Sequence, residues 1–273
     1  MSVASSFAND WLIPDWPAPR NVRAVFTTRA GGVSGPPYDC MNLGTHVGDA
    51  PFCVSANREL LQRATGTHAV FLNQVHGYDV LTLAGDELDG LSADACVTTQ
   101  RKLACTIMVA DCLPILLTTE NGGVVAAAHA GWRGLAGEVG VLASLYASFS
   151  PLAAQIQAQG AIKTIAWLGP CIGPAAFEVG AEVKAEFEAV MPAASACFVS
   201  IGLGKFLANL PALARLRLGA LGLMSSQIYG NDGSAPWCTV SNPSRFFSHR
   251  RDAGVLGNGF GTTGRMAAAI WLD

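Results

Sequence analysis

The run from Ala110 to Gly134 constrains the chain more than any other. Two apolar stretches, Ile115 to Thr119 and Val124 to Ala128, flank Asn121-Gly122-Gly123. The three turn residues supply the positive φ angles of a tight hairpin, so the run predicts two antiparallel strands. Each strand carries one soft ligand, Cys112 before the first and His129 at the end of the second. Pairing Thr119 with Val124 sets His129 opposite Pro114 and Cys112 diagonally beside His129, because side chains alternate faces with a period of two. Pro114 cannot donate to a ladder, so the regular strand is expected to begin after it, leaving Cys112 at the strand mouth. A cysteine and a histidine converging there make a metal half-site, a nucleophile with its base, or plain core. A free cysteine in an apolar strand is ordinarily core. His129 argues for a site, because an unpaired imidazole is costly to bury and the nearby Gly131 and Gly134 allow close backbone approach.

The rest of the chain supplies a large core around this hairpin. It has 273 residues, 51% of them hydrophobic and 14% charged, with no internal repeat or linker. One domain over residues 21–273 is expected, preceded by an irregular arm, residues 1–20, whose Trp11 and Trp16 pack on the body. A formal charge of −3 with scattered basic residues gives no footprint for nucleic acid or an anionic membrane. The first residues show no cationic, apolar leader, so a cytoplasmic monomer acting on small molecules is expected. Eight cysteines without a Cys-x-x-Cys pair argue against a zinc finger or a disulfide framework.

Val22 to Thr28 reads as the first strand, leading into glycine-rich Thr28 to Gly35 and then Asn42 to Asp49, too long a stretch to be only a turn. A helix is expected from an Asp49 cap, through Pro51, to a stop at Gly66. Strands follow at Ala69 to Gln74, Asp79 to Leu83, Ala93 to Thr99 and Ala104 to Val109. Beyond the hairpin, Leu135, Val139, Leu142, Leu145 and Phe149 recur at helical spacing, so the strand of His129 feeds a helix. Ile162 to Leu168 is a further strand, and Val179 to Val190 and Leu207 to Leu221 are read as helices. Gln227 to Tyr229, Arg245 to His249 and Met266 to Leu272 close the chain as strands. Strands outnumber helices and several are joined by hairpins. The expected class is α/β of the α+β kind, a single domain with mixed β-sheets sandwiched between helices rather than a doubly wound parallel sheet.

Of five histidines, His76 and His129 both end apolar strands beside a glycine. With Cys112 they form a known open zinc set, three protein ligands leaving a fourth position for water or substrate. The spacings are not those of a compact motif. If Cys112 is instead a nucleophile with His129 as base, a metal-free hydrolase results and His76 has no role. If the metal is only structural, a fourth ligand is needed, and Cys171 is the candidate.

The strings Thr27-Thr28-Arg29-x-Gly31-Gly32-Val33-Ser34, Asn42-Leu43-Gly44, Gln74-Val75-His76-Gly77, Ala110-Asp111-Cys112-Leu113-Pro114 and Ala128-His129-Ala130-Gly131-Trp132-Arg133-Gly134 closely resemble the YfiH-type family, formerly labelled multicopper polyphenol oxidoreductases or laccases. Phe247-Ser248-x-Arg250-Arg251-Asp252 and Thr263-Gly264-Arg265 extend the likeness over nearly the whole chain. The resemblance implies a core similar to the cytotoxic-necrotizing-factor deamidases and a zinc held by His76, Cys112 and His129. It also implies phosphorolysis of adenosine, inosine, guanosine and methylthioadenosine, with adenosine deamination as well. A multicopper laccase centre consumes about ten histidines, which five cannot supply, although a lone copper can displace zinc from such ligands. Phosphorolysis needs an anion cradle, for which Arg29, Arg133, Arg250, Arg251 and Arg265 are candidates, with Asn42 as a further substrate or phosphate contact. Backbone N–H groups of Gly257 to Gly261 are another candidate, and Asp111 is either a partner of a metal ligand or a strand cap.

Overall fold

The computed structural model describes residues 10–156, 163–253 and 261–273. Its strands are β1 (Val22–Phe26), β2 (His68–Phe71), β3 (Val80–Thr82), β4 (Ala95–Thr98), β5 (Leu103–Val109), β6 (Leu113–Thr119), β7 (Val125–Ala130), β8 (Thr164–Leu168), β9 (Glu178–Gly180), β10 (Phe198–Gly202), β11 (Lys205–Ala208), β12 (Ile228–Gly230) and β13 (Met266–Leu272). They form a four-stranded sheet in the order β1-β13-β5-β2, a six-stranded sheet in the order β12-β8-β6-β7-β4-β3, and a small three-stranded sheet, β10-β11-β9. The helices are α1 (Pro51–Thr65), α2 (Trp132–Leu135), α3 (Gly140–Ile156), α4 (Ala181–Val190), α5 (Leu210–Ala220) and α6 (His249–Asp252).

Period-two alternation stacks the two large sheets into four layers. Leu116, Val125, Ala127 and Trp167 on one face of the six-stranded sheet meet Phe26, Val70, Ile107 and Ile270 of the four-stranded sheet. The opposite face of the four-stranded sheet packs Val25, Phe71 and Trp271 against Leu61 of α1. The opposite face of the six-stranded sheet packs Ile115, Leu117 and Ala128 against Leu142, Leu145 and Phe149 of α3 and Leu213 of α5. Every residue of β6 and β7 is buried, as expected of strands covered on both faces. Trp11 joins the outer core and Trp16 packs beside the inner one, so the N-terminal arm is held to the body where it is described.

The hairpin register is the expected one, with Pro114 opposite His129. The strand begins earlier than expected, at Leu113. Pro114 is tolerated because the pair it makes with His129 is not a hydrogen-bonded one: His129 N–H donates to the Asp94 carbonyl, and the Pro114 carbonyl accepts from Gly169 N–H beyond the end of β8.

Other boundaries move for local reasons. The cap of α1 is Ala50, not Asp49, whose carboxylate accepts from Ser34 Oγ, Asn42 Nδ2 and Ala50 N–H. Left-handed Gly137 (φ 75°) separates α2 from α3, so the strand of His129 feeds two helices. Val179 and Leu207 belong to strands of the small sheet, not to helices. Arg245 to His249 is not a strand. Phe246 and Phe247 are buried there as anchors, and Ser248 caps α6.

Candidate metal centre

Three strand mouths of the six-stranded sheet bring the centre together: Cys112 precedes β6, His129 lies near the end of β7, and Asp94 stands just before β4. His76 comes from the loop between β2 and β3. One ligand atom from each of His76, Cys112 and His129 lies within 4.8 Å of the others, and Cys112 Sγ is 3.7 Å from His76 Nε2. A tetrahedral zinc with bonds of about 2.3 Å to sulfur and 2.0–2.1 Å to nitrogen sets an S···N separation of about 3.6 Å, so the donor set fits that metal. Among the described residues this is the one such group. Cys171 is outside it, buried with its thiol on the Ile172 carbonyl and against Asn231 Nδ2.

Asp94 organises the centre. The side chain is fully buried, and its Oδ1 accepts from His129 Nδ1 at 2.8 Å and from His76 N–H at 3.0 Å. Its Oδ2 accepts from the Val75 and Gly77 N–H groups at 3.1 and 2.7 Å. One carboxylate thus turns His129 Nε2 toward Cys112 and holds the loop in which His76 adopts a left-handed φ of 61°. Burial alone pushes the Asp94 carboxyl up, but the bond and charge of His129 and the backbone donors outweigh it and hold it below the ordinary value. Gln74 anchors the same loop, donating to the Met108 carbonyl and accepting from its N–H. Gly131 leaves room, since a Cβ there would lie 3.0 Å from Cys112 Sγ and 3.1 Å from His76 Cδ2.

Asp111 is not a partner of the ligands. In a left-handed conformation (φ 91°), it accepts from Thr239 Oγ1 and Arg250 N–H, both at 2.6 Å, and fixes the backbone just before Cys112.

In the metal-free centre, burial pushes the Cys112 thiol up, but the His129 charge and hydrogen bonds from both histidines outweigh it and hold the thiol at about 6. Burial likewise pulls His129 down, and the Cys112 thiolate and Asp94 carboxylate outweigh it to raise His129 to about 9. The depressed thiol stabilises the fold fully above 9.0, its ordinary value, and loses that contribution as pH falls through about 6. The raised imidazole contributes fully below 6.5 and loses its contribution as pH rises through about 9. The thiolate–imidazolium pair therefore spans about pH 6 to 9. Chelator-stripped protein treated with iodoacetamide and analysed by peptide mass spectrometry should show alkylation of Cys112 rising with a midpoint near 6. A midpoint at the ordinary thiol value would contradict this.

The centre opens into a cleft of about 400 Å³. Of the expected contacts, Arg133, Arg250 and Arg265 line it. Arg29 does not. Its guanidinium is folded back onto the Asp39 carboxylate and the Asp39 and Pro243 carbonyls. Asn42 is buried away from the cleft, bonded to Gly44, Asp49 and Arg265 N–H. Arg251 is spent on Asp252 and the Thr239, Val240 and Phe246 carbonyls. The Gly257 to Gly261 cradle falls largely outside the described residues. The cleft also holds side chains that sequence reading did not single out, among them His46, Phe177, Leu210 and His249.

Fold and centre together define a single-domain mixed α/β protein whose three-ligand site, open to a cleft, can hold a metal ion. The chain belongs to the family described as multi-copper polyphenol oxidoreductase laccase, whose model matches residues 23–273. It is 46% identical to the Escherichia coli protein named purine nucleoside phosphorylase YfiH, over 96% of this chain and 98% of that one. It is 44% identical to a Pseudomonas aeruginosa protein also named purine nucleoside phosphorylase, over 97% and 99%. Among solved structures, Neisseria meningitidis protein NMB0706 superposes with a TM-score of 0.84 at 46% identity, covering 97% of this chain and all of that one.

Proposed function

We propose that the chain is a zinc-dependent purine nucleoside phosphorylase for adenosine, inosine, guanosine and methylthioadenosine, with adenosine deamination as a secondary activity. The observation that carries this reading is an open His-Cys-His centre beside a nucleoside-sized cleft, in a chain with close relatives named for that reaction. In phosphorolysis a phosphate oxygen bonds to C1′ of the ribose as the bond from C1′ to the base breaks. The bonding pair leaves on the base nitrogen, which takes a proton, giving free base and ribose 1-phosphate. Zinc held by His76, Cys112 and His129 would supply a Lewis acid and no redox chemistry. Asp94 keeps His129 aligned, and Phe177, Leu210 and Ile172 give the cleft apolar wall against which a purine can exclude water. In this reading the chain acts as a cytoplasmic monomer on small molecules, without nucleic acid or membrane. Among the described residues no helix is long and apolar enough to cross a membrane.

A second reading has a specific observation behind it. Asp94, His129 and Cys112 form a carboxylate–imidazole–thiol line, the arrangement of a cysteine hydrolase. It leaves His76, 3.7 Å from the thiol, without a role, so the metal reading is preferred. Metal-analysed protein incubated with inosine and millimolar phosphate separates the readings. Free base and ribose 1-phosphate in proportion to phosphate, lost on chelation and restored by zinc, are expected. No base release above a His129→Ala control would overturn phosphorolysis, and activity that survives complete chelation would favour the thiol. Copper in the same ligands is the remaining alternative. Zinc-only protein is expected not to oxidise phenols.

A further inference from the structure

The cleft arginines differ in what already occupies them. Arg250 has its guanidinium turned onto the Glu178 carbonyl, at 3.2 Å from both terminal nitrogens. Arg133 is exposed, lying over the Trp132 ring at 4.5 Å. Arg265 is half-buried, and its Nη1 reaches only carbonyls of its own segment, Thr263 and Gly264, at 2.9 and 3.1 Å. Arg29, Arg58 and Arg251, also half-buried, pair with Asp39, Asp89 and Asp252, and half-buried Arg215 and Arg217, away from the cleft, reach across to carbonyls of Ile228, Asn231 and Gly137. Among the described residues no carboxylate pairs with Arg265. Asp111, the nearest candidate by charge, has both oxygens committed to Thr239 and Arg250.

A guanidinium withdrawn from water without an anion is costly unless a ligand completes it. The chain also holds Arg265 firmly in place. Asn42 Oδ1 accepts from both Arg265 N–H and Gly44 N–H at 2.9 Å. The stem lies so close over Gly44 that a Cβ there would fall 2.7 Å from Arg265 Cγ. His46, two residues on, shares the cleft wall, and burial followed by the charge of Arg265 lowers its pKa and favours the neutral ring. A neutral imidazole can donate to an anion without adding a second positive charge beside Arg265.

We propose that Arg265, with His46 beside it, is the phosphate subsite of the cleft, and that Asn42 and Gly44 are positioning residues for the arginine. This rests on the phosphorylase reading for its chemistry. A nucleoside is uncharged, so of the two substrates only phosphate can neutralise this group, and the planar fork of a guanidinium matches two phosphate oxygens. The presence of Asn42 and Gly44 in one string thereby has a physical reason.

The test uses steady-state kinetics of metal-loaded protein. Arg265→Gln is expected to raise the KM for phosphate by about tenfold or more, the loss of a charge-assisted fork, while the KM for inosine changes less than about threefold. Arg265→Lys should recover part of that loss, since it keeps the charge without the fork. Gly44→Ala, which keeps the arginine but displaces it, should raise the phosphate KM with metal content unchanged. An unchanged phosphate KM in both Arg265→Gln and Gly44→Ala overturns the subsite even though phosphorolysis stands. If the wild type releases no base, the phosphorylase reading fails instead. Inorganic phosphate alone then decides the subsite: it should raise the melting temperature of the wild type but not of Arg265→Gln, and an equal or absent rise in both overturns it.

Discussion

Cys112→Ala is expected to fold, to bind no metal at the His76–His129 pair, and to lose phosphorolysis by on the order of 10³-fold, the loss of several kcal/mol of charge stabilisation. The fold should survive because the three apolar cores are built from strands and helices that do not depend on the thiol. Cys112 is only half-buried, so truncating it removes little packing, and the stability it does cost is the thiolate's pairing with His129. Metal per chain, measured by mass spectrometry after gel filtration, and a circular dichroism melt read the two halves of the claim. One bound metal per chain with a wild-type rate would refute the assignment of Cys112 as a ligand. Loss of the melt itself would refute the claim that the core is independent of the centre.

Asp94→Ala should do the opposite kind of damage, to the fold first and to the metal through it. The substitution strands three buried or half-buried backbone donors, at Val75, His76 and Gly77, and the Nδ1 of a buried imidazole. Breaking a buried charged network of this kind costs about 3–5 kcal/mol, a large share of an ordinary domain's stability. Asp94→Asn keeps the shape and one carbonyl oxygen, so it should retain more of the fold. Its amide cannot accept at both former oxygens, and metal affinity should still fall by about 10- to 100-fold, as for other partners of metal-bound histidine. Chemical denaturation of both variants, with metal affinity by chelator competition, separates these effects. Equal stability of Asp94→Ala and the wild type would sink the account.

How much of this was legible in the chain depended on how local the signal was. The hairpin could be read, including its register, because Asn121-Gly122-Gly123 and two apolar runs fix strand pairing within 25 residues. The small sheet was not. Val179 and Leu207 sit next to helices whose apolar period absorbs them, and β9 is only three residues long. Asp94 was readable but unread: a carboxylate between Ala93 and Ala95, at the head of a wholly buried strand, must find donors. The arginines could not be ranked from sequence, because what distinguishes Arg265 from Arg29 is a missing carboxylate, and partners such as Asp39 and Asp89 are set by tertiary contacts. The placement of Asn57 shows the same limit. This fully buried amide of α1 accepts from Val33 N–H and donates to Ser34 Oγ and the Cys40 and Asn42 carbonyls, pinning the long loop from the helix that follows it.

The register of the hairpin, with Pro114 opposite His129, sets the order in which fold and centre can form. Cys112 and His129 meet only when β6 and β7 are aligned residue for residue. A slip of one position would turn every side chain of the slipped strand to the other face and separate the thiol from the imidazole. The turn at Asn121-Gly122-Gly123 and the burial of both strands over their whole length hold the one alignment. Strand alignment therefore comes before the centre: the buried core sets the register, and the three ligands converge as its consequence.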